Sequence, residues 1–422
     1  MRLLLPLTPI FRLRFGRIFG IIPYKKQKLK KHLIGIGGVG MSALATALLR
    51  LGHEVTGADR NLTTPNIRFL EALGVKCFPD DGSGIDSATD EVIVSTAIEQ
   101  TNPGIAKAQD LGIEITHRAR ALAEALAGYK LVAVAGTCGK STVTAMLGHV
   151  LAECGFDPMC VNGANVPGWE GAVRFGLGEY AVAEVDESDK SLTAFRPYAA
   201  VITNASADHY SKEEMDEVFD AFVAGVPGPV VDGRKDLGEM AVNAPGRHNR
   251  NNAYLACQMA TALGCGEDKV RAALMTFGGV ERRLQRYGKK VYDDYAHNPE
   301  KLHAMWTTVK AECRGGVCTI WRPHGYAPLR KMLFALAEMF NATLTQEDRL
   351  LLLPVYDAGG TTRRDINSGD LAKLVPQAEC VADLDAAFEW VKAHDYAAYI
   401  TCGARDPELP KLAKRIADEK ES

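Results

Sequence analysis

A chain of three consecutive α/β units is predicted by its length, by repeated alternation of short apolar runs with helical stretches, and by two glycine turns that each end a run and open a helix. With 422 residues, at about 100–200 per domain, two to four domains are expected. Hydrophobic residues at 47% and charged residues at 24% exclude disordered and fibrous classes. A formal net charge of −3 gives no pull toward nucleic acid. Ten cysteines without CxxC pairs exclude a disulfide scaffold and a zinc site, and point to a reducing, cytoplasmic setting.

Residues 1–31 read as a leader. They carry nine Lys and Arg residues and no acid, with apolar bulk from Leu3, Phe11, Phe15 and Ile21 among others. No apolar run reaches the ~18–20 residues of a spanning helix, and arginines break any secretory pattern. Two readings remain open: an ordinary leader, or a basic arm making weak contact with a membrane surface.

The first unit, residues 32–128, has expected strands at His32–Ile36, His53–Ala58, Glu91–Ser95 and Gly112–Thr116, with a helix over Gly40–Leu51. The second, 129–282, has strands at Leu131–Ala135, Tyr180–Val185 and Ala199–Thr203. Its helices are expected at Lys140–Cys154 and Arg250–Leu263, with a loop at Gly225–Pro229. The third, 283–422, has strands at Lys290–Asp293, Val317–Trp321, Arg349–Pro354 and Ala398–Thr401.

Gly35-Ile36-Gly37-Gly38-Val39-Gly40 is the first glycine turn, and Asp59 ends the next strand about 20 residues on. Such a turn offers helix N–H groups to a diphosphate, and by pattern alone it suggests NAD. Gly136-Thr137-Cys138-Gly139-Lys140-Ser141-Thr142 is the second. Its backbone can cradle phosphates, Lys140 can reach the β and γ oxygens, and Ser141 can bind Mg²⁺, so ATP is expected here. A dehydrogenase has no use for the second turn. An enzyme joining a nucleotide-carried substrate to something else uses both.

Glu184-Val185-Asp186-Glu187-Ser188-Asp189 ends a predicted strand, where a carboxylate can hold Mg²⁺ beside the γ-phosphate; Asp208-His209 follows the next strand and can add a ligand.

These stretches, followed by Pro245-Gly246-Arg247-His248-Asn249 with Asn252, Glu281-Arg282-Arg283, and Asp293-Asp294-Tyr295-Ala296-His297-Asn298-Pro299, recur in an order that resembles the Mur ligases. The likeness runs from about His32 to the C-terminus. It implies a Rossmann-like UDP-substrate domain, a central P-loop ATPase-type domain, here shortened, and a C-terminal Rossmann-like domain. It also implies an ATP-dependent, amide-forming ligase that joins L-alanine to UDP-N-acetylmuramate through an acyl phosphate. The first turn then serves the UDP substrate, with Gly35, Gly37, Gly38, Val39, Gly40, Met41, Ser42 and Asp59 as its residues. By the same resemblance Lys140, Glu184 and His209 are catalytic, and Ser141, Glu184 and His209 hold metal. Residues 136–142 hold phosphates. His248, Asn249 and Asn252 meet the adenine, Arg283 and Asp294 reach the nucleotide from the third domain, and His297 and His324 face the entering amine. His248 and Asn249 also read as a helix N-cap, and the two roles can hold together.

The chain departs from the family pattern at four places. Cys138 replaces a histidine. Most of a strand-rich insert is missing between Val231 and Pro245. Pro323-His324-Gly325-Tyr326-Ala327 lacks the arginine that usually follows the histidine, and Arg405 replaces a glycine. Arg363 and Arg364, in the Gly359–Gly369 stretch, can restore the lost charge. A Mur-type ligase using another amine, such as a recycled peptide, stays open beside the L-alanine reading. So does a non-catalytic nucleotide-binding relative, while an NAD-dependent oxidoreductase would have to bind nicotinamide and ignore loss of Lys140.

Overall fold

The computed structural model describes residues 28–186, 191–205, 212–357, 362–404 and 406–421. Most of the leader, residues 1–27, lies outside them, and so do Glu187–Asp189, Asp208, His209 and Arg405. The described residues build three sheets, each flanked by helices.

The first sheet contains β1 (Lys30–Ile34), β2 (Glu54–Asp59), β3 (Lys76–Pro79), β4 (Glu91–Val94) and β5 (Glu114–His117), and every pairing is parallel. Its helices are α1 (Val39–Arg50), α2 (Pro65–Ala72), α3 (Pro103–Asp110) and α4 (Arg118–Leu126). The order β3-β2-β1-β4-β5 reverses between β1 and β4, which opens a crevice at their carboxyl ends. Leu33, Ile34, Val92 and Ile93 are fully buried, as a sheet covered on both faces requires. β1 starts two residues before the expected strand and stops at Ile34, because Gly35 turns the chain with φ 75°. Gly57 of β2 seats that turn. A Cβ there would stand 2.5 Å from Ile36 Cδ1 and 2.7 Å from the Leu33 carbonyl oxygen. β3 escaped the sequence reading because Lys-Cys-Phe-Pro is a short edge strand ending in proline.

The second sheet contains β6 (Lys130–Ala135), β7 (Met159–Val161), β8 (Val173–Arg174), β9 (Tyr180–Glu184), β10 (Ala199–Ile202) and β11 (Val230–Asp232), in the order β11-β10-β6-β9-β7-β8. Only the β7–β8 pairing is antiparallel. Its helices are α5 (Lys140–Glu153), α6 (Lys212–Val223), α7 (Arg247–Ala262) and α8 (Glu267–Met275). α7 begins three residues before the expected start. His248 and Asn249 therefore lie inside the helix, and Gly246 takes the N-cap position with φ 89°. That corrects the N-cap reading of His248 and Asn249, since the helix already begins at Arg247 after Gly246. After β11, Arg234 ties the sheet edge to α6, pairing with Asp216, Asp220 and Asp232 at 2.7–3.0 Å.

One apolar cluster joins these two units. It runs from Leu44 and Leu48 of α1 and Leu122 of α4 to Met159, Val173, Ala181 and Phe219 of the second unit. Arg50 also grips Glu170 through two bonds of 2.6 and 2.5 Å, an exposed pair that adds little beside the apolar contact.

The third sheet contains β12 (Gln285–Tyr287), β13 (Val291–Asp294), β14 (Val317–Trp321), β15 (Arg349–Leu352), β16 (Ala378–Cys380) and β17 (Ala398–Cys402), in the order β12-β13-β17-β14-β15-β16. Its helices are α9 (Pro299–Glu312), α10 (Tyr326–Thr343), α11 (Ser368–Ala372), α12 (Leu384–Ala393) and α13 (Leu409–Lys420). Trp306, Trp321 and Phe340 fill one face, and Val391, Leu412 and Ile416 the other. All ten cysteines are free thiols. Among the described residues no helix is long and apolar enough to cross a membrane.

Gly57→Ala is expected to push β2 off the first turn and destabilise the protein by about 1–3 kcal/mol. Thermal denaturation checks it; an unchanged midpoint contradicts the seat.

Candidate functional site

Gly38 and Gly139 are the N-caps of α1 and α5, and neither offers a side chain to the first helical N–H groups, as is also true of Gly246, Gly266 and Gly325 before α7, α8 and α10. By contrast α2, α3, α9 and α12 are capped by Thr64, Asn102, Asn298 and Asp383. The two helices that begin in glycine turns thus leave donors and the positive dipole end available to an anion.

The first turn walls a cavity of about 490 Å³. Of the expected residues, Gly35, Gly38, Val39, Gly40, Met41 and Asp59 line it. Gly37 and Ser42 stand behind the wall. Gly37 N–H donates to Asp59 Oδ2 at 2.9 Å, and Ser42 Oγ donates to the Val39 carbonyl at 2.9 Å. Asp59 Oδ1 also accepts the Asn61 N–H at 2.9 Å, so this carboxylate braces the turn as well as facing the cavity. The sequence reading missed Arg118, which opens α4 and adds a cation opposite Gly40, and Ser95–Ile98 after β4. No spacing rule links them to the turn, since only the sheet order brings them there. Asn162 and Gly163 join from the second unit.

The second turn walls a cavity of about 430 Å³. Thr137, Cys138, Gly139, Lys140, Ser141 and Thr142 line it from the loop and the first turn of α5. His248, Asn249 and Asn252 line it from α7, with Arg283 and Asp294 from the third unit. Gly136 lies below, its carbonyl accepting from Lys140 Nζ at 2.6 Å. A Cβ on Gly139 would come 2.6 Å from Asn252 Oδ1, and φ is 125° at Gly136 and 86° at Gly139, so the loop needs glycine at both.

The loop is clamped by two residues that sequence reasoning missed, Thr203 and Asn204, just past β10. Asn204 Oδ1 accepts from Thr137 Oγ1 at 2.6 Å and from the Cys138 N–H at 3.0 Å. The Cys138 carbonyl accepts from Thr203 Oγ1 at 2.6 Å and from Asn204 Nδ2 at 3.0 Å. Position 138 is thus held wholly through its backbone, which explains how a cysteine can stand there. The clue available beforehand was a polar Thr-Asn pair closing an otherwise apolar strand.

Glu184 and Asp186 line both cavities. Glu184 ends β9, and its Oε2 accepts the Gly163 N–H at 2.8 Å. Ser141 and Glu184 share the wall of the loop cavity and present oxygen donors, the type that suits Mg²⁺. His209, the third expected ligand, lies outside the described residues, and among those described no group of three or more His, Cys, Asp or Glu gathers as a metal cage.

The second and third units meet at 281–284, where Arg282 (φ 57°) and Leu284 (φ 46°) hold left-handed conformations rare outside glycine. Asp294 fixes this bend, accepting the Leu284 and Ala296 N–H groups at 2.7 Å each. Asp293 is fully buried and accepts from Arg282 Nε at 2.9 Å and Thr401 Oγ1 at 2.7 Å. Burial outweighs the Arg282 charge and pushes the Asp293 carboxyl up to about 6. Burial also raises Asp294. Arg283 lies 5.5 Å over the Tyr295 ring, which aims it at the loop cavity. Burial in the cleft and the nearby Arg250 charge hold His248 below the usual imidazole range. His297 and His324 come together, rings 4.8 Å apart and edge to face, but neither lines either cavity.

Residues 30–130 match the Mur ligase family, catalytic domain. The chain is 34% identical to a UDP-N-acetylmuramate–L-alanine ligase of Rubrobacter xylanophilus, over 83% of this chain and 89% of that one. It is 33% identical to one of Solidesulfovibrio magneticus, with the same coverage. Among solved structures, a UDP-N-acetylmuramate-alanine ligase of Thermotoga maritima superposes with TM-score 0.76 at 25% identity, covering 93% of this chain and 99% of that chain. A murein peptide ligase of Psychrobacter arcticus shares the fold, with TM-score 0.61 at 20% identity over 93% and 98%.

Asn204→Ala removes three hydrogen bonds that clamp the loop and is expected to weaken ATP binding about tenfold, while sparing the UDP substrate. Separate calorimetric titrations of the two nucleotides check this; equal losses for both would point to global damage. The Asp293 value lies above the ordinary unfolded value of about 3.9, so the folded state binds more protons between about pH 4 and 6. Its contribution to stability is full below that window and lost as pH rises through about 6. Asp293→Asn should flatten that fall in urea titrations, and identical slopes in both proteins would contradict it.

Proposed function

The chain belongs to the Mur ligase family, and from that premise we propose that it joins L-alanine to UDP-N-acetylmuramate, driven by ATP, in peptidoglycan precursor synthesis. The observation that carries this reading is the wall of Glu184 and Asp186 common to two cavities, each opened by a glycine turn. A phosphoryl donor in one and a carboxylate acceptor in the other would meet across it. Likeness to L-alanine ligases over most of the chain supports this choice of substrates.

In this reading the α1 N-terminus and Arg118 bind the UDP diphosphate, braced by Asp59. The backbone N–H groups of 137–142 cradle the triphosphate. Lys140, now folded onto the Gly136 carbonyl, swings to the γ-phosphoryl and neutralises charge as the substrate carboxylate attacks it and ADP leaves. Mg²⁺, held by Ser141 and Glu184, would supply further neutralisation of the phosphate oxygens. His248, Asn249 and Asn252 take the adenine side, and Arg283 closes over the phosphates from the third unit. The amine enters past His297 and His324 as the free base, attacks the acyl carbon, and its proton goes to the departing phosphate as the tetrahedral intermediate collapses. Water would hydrolyse the acyl phosphate, so approach of the third unit through the 281–284 bend precedes transfer.

Lys140→Ala is expected to abolish phosphate release, by at least about 10²-fold, with the fold intact. The assay is phosphate release with UDP-N-acetylmuramate against a panel of amino acids and peptides. Retained activity in the variant contradicts the site; turnover with a tripeptide but not L-alanine replaces the amine.

A further inference from the structure

An amino-acid substrate brings a carboxylate one carbon from its attacking amine, so its site needs a cation beside the amine-entry residues. At the carboxyl edge of the third sheet, His297 follows β13 and His324 follows β14. The segment after β15 is lashed to the same place: Leu353 N–H donates to the Trp321 carbonyl at 3.0 Å, and Tyr356 N–H to the Pro323 carbonyl at 2.8 Å. Asp357 follows directly and takes Arg364 by two bonds, from Nε at 2.7 Å and Nη2 at 3.2 Å. The Arg364 guanidinium then lies 5.9 Å over the ring of Tyr326, two residues after His324.

Arg364 is matched by Asp357, while Arg330 and Arg363 share Asp365, so this cluster of three arginines and two carboxylates carries one positive charge in excess, next to Arg364. Arg330 is tied to Asp365 and to the Arg363 carbonyl, and the Arg363 side chain is 84% exposed. Arg322, the other cation at this edge, is bound to Asp406 at 2.6 Å in the turn after β17. Arg364 alone combines an anchored guanidinium with a seat on the aromatic ring beside the histidine pair. Asp357 takes the Nε edge of the guanidinium, and the outer Nη1–Nη2 edge can receive a second carboxylate bidentately.

Resting on the ligase reading above, we propose that Arg364 determines amine specificity by receiving the carboxylate of the incoming amino acid. The test is steady-state kinetics of wild type, Arg364→Ala and Arg364→Lys with L-alanine and with L-alaninamide, which lacks the carboxylate. Arg364→Ala is expected to raise KM for L-alanine about 10- to 100-fold, the range of a charge-assisted pair, with kcat and KM for ATP near wild type. Lysine restores part of the loss, because it supplies charge without the fork. With L-alaninamide, wild type and Arg364→Ala should share one KM. An unchanged KM for L-alanine in Arg364→Ala, or an equal rise for both amines, overturns the assignment. If wild type instead turns over a different amino acid, the choice of L-alanine falls, and the same acid-to-amide comparison on that compound still decides the role of Arg364.

Discussion

The apolar seam between the first two units is the constraint on which the site depends. Leu44, Leu48 and Leu122 pack into the same cluster as Met159, Val173 and Ala181. Burial of side chains like these contributes about 1.5–3 kcal/mol each, so the two sheets do not drift apart at little cost. Their glycine turns are therefore held at a fixed separation, and Glu184 falls between them because β9 lies beside β6 in the second sheet. Polar residues do the chemistry, but apolar ones set the distance over which it occurs. The third unit has its own two clusters and meets the second through a bend of unusual backbone conformation.

Much of this was legible in the sequence because parallel sheets bury strands on both faces and leave continuous apolar runs. Leu131–Ala135 and Val317–Trp321 coincide closely with β6 and β14. The glycine turns were legible for a related reason: both end such runs. Short or edge strands were not, since Met159–Val161, Gln285–Tyr287 and Ala378–Cys380 have three residues each and no period to read. The start of α7 slipped by three residues because a glycine cap gives no side-chain signal.

Within the site, residues adjacent to a motif were found and residues adjacent only in space were not. Thr203, Asn204 and Arg118 reach the glycine turns through sheet order, which places strands distant in sequence side by side. His297 and His324 were expected near each other and are in contact, though they stand outside the walls of both cavities. Asp294 illustrates a different gap. The family resemblance assigned it to the nucleotide, and its two oxygens accept the Leu284 N–H of the bend and the Ala296 N–H after β13, so it also shapes the approach of Arg283.

The acidic partition has a thermodynamic corollary. Glu184 and Asp186 stand on a wall common to both chambers, so a polyanion placed in either would meet carboxylates that neighbouring cations, Lys140 on one side and Arg118 on the other, have to offset. Removing either carboxylate charge would therefore be felt in both chambers at once.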